Sequence, residues 1–383
     1  MRLIRLKAGF LALCLAAVTC CNTALAQVTY KLNRVPLFNV NASDYNSTGL
    51  NNLGLAIGFH ELGGITHGFV YDHYGLLGLP KTTHTLTDLI DFPDGWNSKC
   101  GGLNDMGQVV GAFERTTALG TEREGFLLDL DIFSPTPTPS WRFLPKPAGA
   151  ISGYGRKINN DGLVLIEALQ SENTQGVYTE QYVYDSRVPV DELVPLLVPR
   201  TVRFMDINDS RQFAGSTGVR LTLTPELGIQ EMLTVPGVVL SPSINTHGML
   251  GLQLKETRDS RGRIITPNLA ARYSDTEGVK KLSTIHSGVW DINDSGDVCG
   301  FNGTTNSPAI YRENSWLYLK DLVTGTPDDV GMWLAAGERK VKYIANRDAT
   351  GFGNLYAIAV RATKIGKNTA YDVRHFLLEP KLP

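Results

Sequence analysis

The chain has 383 residues, with 36 lysines and arginines against 38 aspartates and glutamates, a formal net charge of −2. That balance excludes the broad basic footprint that nucleic-acid binding demands. Hydrophobic residues at 42% are ample for a packed core, while 39 glycines and 19 prolines point to many turns and argue against long helices.

In chain order, the first segment carries Arg2, Arg5 and Lys7 and no acid, then an apolar run from Ala8 to Val18, then a polar stretch ending Ala24, Leu25, Ala26. Charged, apolar and small residues in that order are a secretory signal, so residues 1–26 are expected to be a signal peptide and residues 27–383 a single exported domain, secreted or periplasmic. Cys20 and Cys21 raise a lipid anchor, but Thr19 and Cys20 are poor residues to precede a lipidated cysteine. Without the signal the chain keeps two cysteines, Cys100 and Cys299, too few for a disulfide scaffold; they are read as separate buried thiols. No later stretch is long and apolar enough to span a membrane, and a monomer is expected.

After the orphan strand Val28–Pro36, one pattern keeps returning: an aliphatic residue, Asn, two mostly polar residues, Gly, then an alternating apolar strand. It reads LNNLGLAIG at Leu50–Gly58, LNDMGQVVG at Leu103–Gly111, INNDGLVLI at Ile158–Ile166, INDSRQFAG at Ile207–Gly215, INTHGMLG at Ile244–Gly251 and INDSGDVCG at Ile292–Gly300, with a worn copy, IANRDATG, at Ile344–Gly351. Each box predicts a tight hairpin. Asn bonds its own backbone across the turn and Gly supplies the positive φ, so Arg211, standing at the Gly position, must strain or alter its copy.

A second element follows most boxes: short apolar strands such as HGFVYD (His67–Asp72), EGFLLD (Glu124–Asp129), EQYVYD (Glu180–Asp185) and HFLLEP (His375–Pro380). The fourth repeat shows no clear copy. A third, exemplified by TLTDLID (Thr85–Asp91) and LKDLVTG (Leu319–Gly325), is read as a weaker outer strand. Four strands in repeats of about fifty residues predict an all-β fold, a β-propeller of about seven four-stranded blades, closed by pairing the N-terminal strand with the last blade. The proline-rich segment Phe133–Pro147 is then an extended loop within the second blade.

The box INDSGDVCG together with THGFVYD resembles the HAF-repeat family of predicted extracellular proteins, named for a His, Ala, Phe strand after an Ile, Asn, Gly box. His67, Gly68 and Phe69 form the nearest copy, with Gly in place of Ala. The resemblance implies export and a propeller-like repeat fold, and it implies no particular reaction.

Among candidate sites, Asp291, Asn293, Ser295 and Asp297 place oxygens at alternate positions with Gly296 sixth, as a calcium loop begins. Against calcium, the twelfth position is Asn302, not a bidentate Glu, and an Asx turn explains the same residues. His60, His67 and His73 lie close in sequence but without a carboxylate at ligand spacing, so they are read as a surface pair and not a zinc site. Ser152 lacks the strand-to-helix elbow of a nucleophile, and Asp328 and Asp329 read as solvated loop charge. The tryptophans Trp96, Trp141, Trp290, Trp316 and Trp333 are read chiefly as packing between blades. The expected function is a non-catalytic binding module for a protein or carbohydrate ligand, without a cofactor. The rival readings are a lyase or glycoside hydrolase, with histidines and acids converging on the channel, and a structural envelope protein.

Overall fold

The computed structural model describes residues 29–35, 46–62, 64–79, 83–91, 95–117, 120–172, 176–188, 194–195, 202–303, 307–324, 339–346, 353–365 and 368–381. The signal segment, Trp333, Asp328 and Asp329 lie outside the described residues. The fold is all-β, in successive antiparallel meanders.

After β1 (Thr29–Val35), the first meander comprises β2 (Asn46–Leu50), β3 (Leu55–Leu62), β4 (Ile65–Asp72) and β5 (Thr83–Thr85), followed by the one-turn helix α1 (Leu86–Leu89). The second holds β6 (Asn97–Leu103), β7 (Gln108–Thr117), β8 (Gly120–Asp129) and β9 (Ser140–Phe143). The third holds β10 (Ser152–Ile158), β11 (Leu163–Glu172), β12 (Gly176–Asp185) and β13 (Val194–Pro195), and joins the second through a single parallel bridge, Ser152 to Arg123. The fourth holds β14 (Phe204–Ile207), β15 (Gln212–Gly215), β16 (Val219–Leu223) and β17 (Ile229–Thr234).

In the fifth, β18 (Val238–Ile244) and β19 (Leu250–Leu254) are followed by a side hairpin, β20 (Thr257–Arg258) with β21 (Ile264–Thr266), before β22 (Leu269–Ser274) and β23 (Gly278–Lys281) complete the sheet. The sixth comprises β24 (Ser287–Ile292), β25 (Val298–Asn302), β26 (Ser307–Arg312) and β27 (Ser315–Tyr318), and leads into α2 (Leu319–Leu322) and β28 (Val323–Thr324). The last sheet is built from both ends of the chain: β29 (Arg339–Ile344), β30 (Leu355–Ile365) and β31 (Asn368–Lys381) are joined by β1, which pairs antiparallel with β31 from Thr29↔Lys381 to Val35↔His375. β28 adds in parallel on the far side of β1.

Each box is the hairpin between the first and second strands of its sheet. In the first copy, Asn51 Oδ1 accepts from Leu53 N at 3.1 Å and Leu55 N at 2.9 Å, while Gly54 sits at φ +78°. Arg211 adopts φ +59°, so the fourth box keeps the turn and carries the strain in the backbone. The second element is the third strand throughout, and β16 is the copy the sequence pattern did not reveal. The third element differs from its reading as a strand. Most of TLTDLID and of LKDLVTG is one helical turn; in the first, Thr85 and Asp88 form a helix-start pair in which the Asp88 carboxylate accepts from Thr85 N at 2.9 Å.

The core lies between neighbouring sheets. Leu55, Ile57 and Val70 of the first sheet pack with Cys100, Val109, Phe113, Phe126 and Leu128 of the second. Cys299 packs in a separate cluster with Tyr30 and Leu355, so the two cysteines lie apart and form no disulfide with each other. The proline-rich loop runs from β8 to β9 and on toward β10, and Trp141 and Trp316 meet Phe113 and Tyr311 edge to face as packing residues.

The boxes also bind one another. Asn51 Nδ2 donates to Asn104 O, Asn104 to Asn159 O, Asn159 to Asn208 O, Asn208 to Asn245 O, Asn245 to Asn293 O and Asn293 to Ala345 O, at 2.7–3.2 Å. A second series links the next residues: Asn52 to Asp105, Asp105 to Asn160, Asn160 to Asp209, Thr246 to Asp294, Asp294 to Asn346, and Asn346 back to Asn52 at 2.7 Å. The worn seventh copy thus lacks the first Asn, where Ala345 stands, and retains the second.

Candidate functional site

The first strands of the sheets share one irregularity. A register shift falls just before the last residues of each: at Ser47/Gly49, Cys100/Gly102, Gly155/Lys157, Phe204/Asp206, Leu240/Ser243, Val289/Asp291 and Val341/Tyr343. A bulge re-aims the side chain that follows it. The residue preceding each box's aliphatic is therefore Gly49, Gly102, Lys157, Asp206, Ser243, Asp291 or Tyr343.

Those positions meet. Lys157, Asp206, Asp291 and Tyr343 line both a cavity of about 580 Å³ on one side and a smaller one ringed by the box asparagines on the other. The two glycines make room: a Cβ on Gly102 would come within 2.7 Å of the Lys157 backbone. Lys157 Nζ stands 3.6 Å from Asp206 Oδ1 and over the Tyr343 ring at 5.6 Å. Asp206 Oδ2 accepts from Ile244 N at 3.1 Å, and Asp291 takes Ile292 N at 2.9 Å on Oδ1 and Ile344 N at 3.1 Å on Oδ2.

Burial dominates the electrostatics here. It pushes the Asp291 carboxyl up to about 7, with the charge on Asp206 adding to the rise. Burial raises Asp206 also, against the opposing pull of Lys157. Two carboxyls, both raised by burial, thus share the floor of the cavity.

The wall of the larger cavity carries two ion clusters. Glu114 is held between Lys99, at 2.9 Å, and Arg123. Glu167 receives both of its bonds from Arg203, at 2.9 and 2.7 Å, while Arg156 Nη1 stands off at 3.5 Å. Tyr154, Phe59 and Trp290 supply aromatic surface.

The four residues of the calcium reading separate. Asp291 faces this cavity from β24, while Asn293, Ser295 and Asp297 form the hairpin turn: Asn293 Oδ1 accepts from Asp297 N at 2.9 Å and Gly296 sits at φ +75°. Among the described residues no group of three or more His, Cys, Asp and Glu side chains could hold a metal. His60 and His67 are directly opposed on β3 and β4 with ring centroids 6.0 Å apart, but His60 is buried, which pulls it down to about 4 and holds it neutral. His73 does not join them, because β4 ends at Asp72; its ring meets Tyr71 and Glu379. The carboxylates converge and the histidines do not.

Lys157, Asp206, Glu114, Glu167, Arg156 and Arg203 were not singled out in the sequence. For Lys157 and Asp206 a signal was present, a charged residue directly before the box aliphatic; Glu114, Glu167, Arg156 and Arg203 occupy no such repeated position.

No protein-family model and no curated protein matches the chain. Among solved structures, it is similar to the β-propeller domain of the Trilobed protease from Pyrococcus furiosus, at 13% identity over 84% of this chain and 94% of that one, with a TM-score of 0.47. The likeness is to propeller folds. It is also similar to Trypanosoma rangeli sialidase, at 9% identity over 91% of this chain and 57% of that one, TM-score 0.42, so the chain spans a little over half the sialidase's length. The ectodomain of the parainfluenza virus 5 hemagglutinin-neuraminidase follows at 10% identity, 100% and 96% coverage and a TM-score of 0.37.

Proposed function

We propose that the chain is an exported, monomeric, seven-bladed β-propeller of the HAF-repeat type, closed by β1 on the last sheet, and that it acts as a non-catalytic binding module. Its ligand seat is the larger cavity, between the first strands of the blades. The pairing of β1 with β31 and the series of box bonds that returns to Asn52 support closure. One observation carries the binding site: bulged strands from separate sheets aim Lys157, Asp206, Asp291 and Tyr343 at the floor of a cavity large enough for a small ligand. Glu114, held by two cations, and Glu167, held on both oxygens by Arg203, favour binding, since carboxylates so clasped are poor proton carriers.

A thermal-shift screen of a carbohydrate and organic-acid library tests this, run on residues 27–383 and on the double variant Lys157→Met, Asp206→Leu. Removing both members of a buried pair leaves no orphaned charge, so the variant should fold. A ligand that raises the melting temperature of the wild type and not of the variant supports the reading; hits that act equally on both overturn it.

The second reading, a lyase or glycoside hydrolase, is favoured by one feature, the carboxyls of Asp291 and Asp206, both raised by burial, at the floor of the cavity. Release of product from a library hit, abolished by Asp291→Asn, would assign the chain to that class.

A further inference from the structure

The cavity is cationic in a chain that is not. Five cations, Lys99, Arg123, Arg156, Lys157 and Arg203, face four carboxylates, Glu114, Glu167, Asp206 and Asp291, whereas the whole chain carries a net −2. The cations differ in how tightly they are held. Glu114 is saturated by Lys99 and Arg123, Asp206 faces Lys157, and both oxygens of Glu167 are taken by the fork of Arg203. Arg156 is left over. Its Nη1 is 3.5 Å from Glu167, its Nη2 meets only the Met205 sulfur at 3.5 Å, and its Nε is buried without a hydrogen-bond partner. A guanidinium bonds carboxylates best through two short parallel N–H contacts, and no acceptor among the described residues offers Arg156 either one.

We infer that the channel cavity takes a small, ring-sized organic acid whose single carboxylate is bound by Arg156. The inference rests on the cavity being the ligand seat, as proposed above. A monoanion fits better than a phosphate dianion because Arg156, a single charge, has no short contact to a carboxylate. The aromatic surface of Tyr154 and Trp290 suits the flat face of a ring. A cationic cavity in an acidic molecule also draws anions in preference to neutral analogues.

Isothermal titration of residues 27–383 with glucuronate, glucose and glucose 6-phosphate provides the test, with Arg156→Gln, Arg156→Lys and the double variant Lys157→Met, Asp206→Leu beside the wild type. Glucuronate should bind, glucose should bind roughly tenfold more weakly or not at all, and Arg156→Gln should erase that difference while Arg156→Lys keeps part of it. Melting curves verify that each variant is folded, and Arg156→Lys carries the test if Arg156→Gln is not. Equal binding of glucose and glucuronate, lost in the double variant, would overturn the carboxylate and spare the channel. Tighter binding of glucose 6-phosphate would overturn the monoanion, and glucuronate binding indifferent to every variant would overturn both the inference and the seat. Absence of binding by all three probes would overturn the inference, with the library screen still deciding the seat.

Discussion

Asp291 is where burial, charge and the backbone meet most sharply. Its carboxyl, pushed up to about 7 in the folded chain, lies near 4 when unfolded, so between those pH values the folded chain holds a proton that the unfolded chain has released. Stability from this group is therefore full below about pH 4 and falls as the pH rises toward 7. Asp206, Lys157 and Tyr343 face it and remain in an Asp291→Asn variant. Urea melts should show the variant gaining on the wild type by on the order of a few kcal/mol between pH 4 and 7.5; a gap that ignores pH would mean the carboxyl is not held protonated. Arg211 stores a different strain, in its backbone at φ +59°. Arg211→Gly should stabilise the chain by roughly 1 kcal/mol, less what is lost with the bond from its side chain to Pro225 O. Cys100 and Cys299 are fully buried, and burial pushes the Cys100 thiol up to about 12. Both should resist a thiol reagent in the native state and react promptly in denaturant.

At the scale of elements, the box is both a turn and a clasp. Asn159 closes its own hairpin by accepting from Leu163 N at 2.8 Å and reaches the next box by donating to Asn208 O at 2.9 Å. Asn159→Ala should therefore cost about 1–3 kcal/mol, more than an exposed turn asparagine, because it leaves buried backbone groups without partners. Denaturation of this variant beside Asn52→Ala, where the residue is exposed, separates the two contributions. The same dual use explains why the pattern persists while the sequence between boxes varies: the turn needs Asn and Gly, and the neighbour needs the Asn amide. Outer elements lack such a constraint, and there the strand reading of TLTDLID gave way to one helical turn once Thr85 and Asp88 could bond each other.

For the whole molecule, the pairing of Thr29 with Lys381 brings the two ends of the described chain into adjacent strands. A circular permutant that joins residue 381 to residue 29 through a two-residue Asn-Gly hairpin, with new ends between Ala148 and Gly149 in an exposed loop, should fold and melt close to the wild type. A permutant that is insoluble or melts far lower would count against the native pairing of these strands. Deleting residues 29–35 probes the same contact from the other side. It uncovers the edge of β31 and the cluster around Tyr30, and broad, lowered unfolding is expected by circular dichroism.

The sequence by itself determined the repeat, the hairpin at each box and the third strand of most sheets, because these depend on local turn chemistry and on period-two alternation. It also marked the first strand as an orphan in need of a partner. Only the tertiary structure decided which side chains meet. Lys157, Asp206, Asp291 and Tyr343 belong to different repeats, each an ordinary residue before an aliphatic, and become one site because every first strand bulges at the same place. Which of the cavity's guanidinium groups lacks a short carboxylate contact was equally out of reach of the sequence, since that depends on distances between side chains that no local pattern encodes.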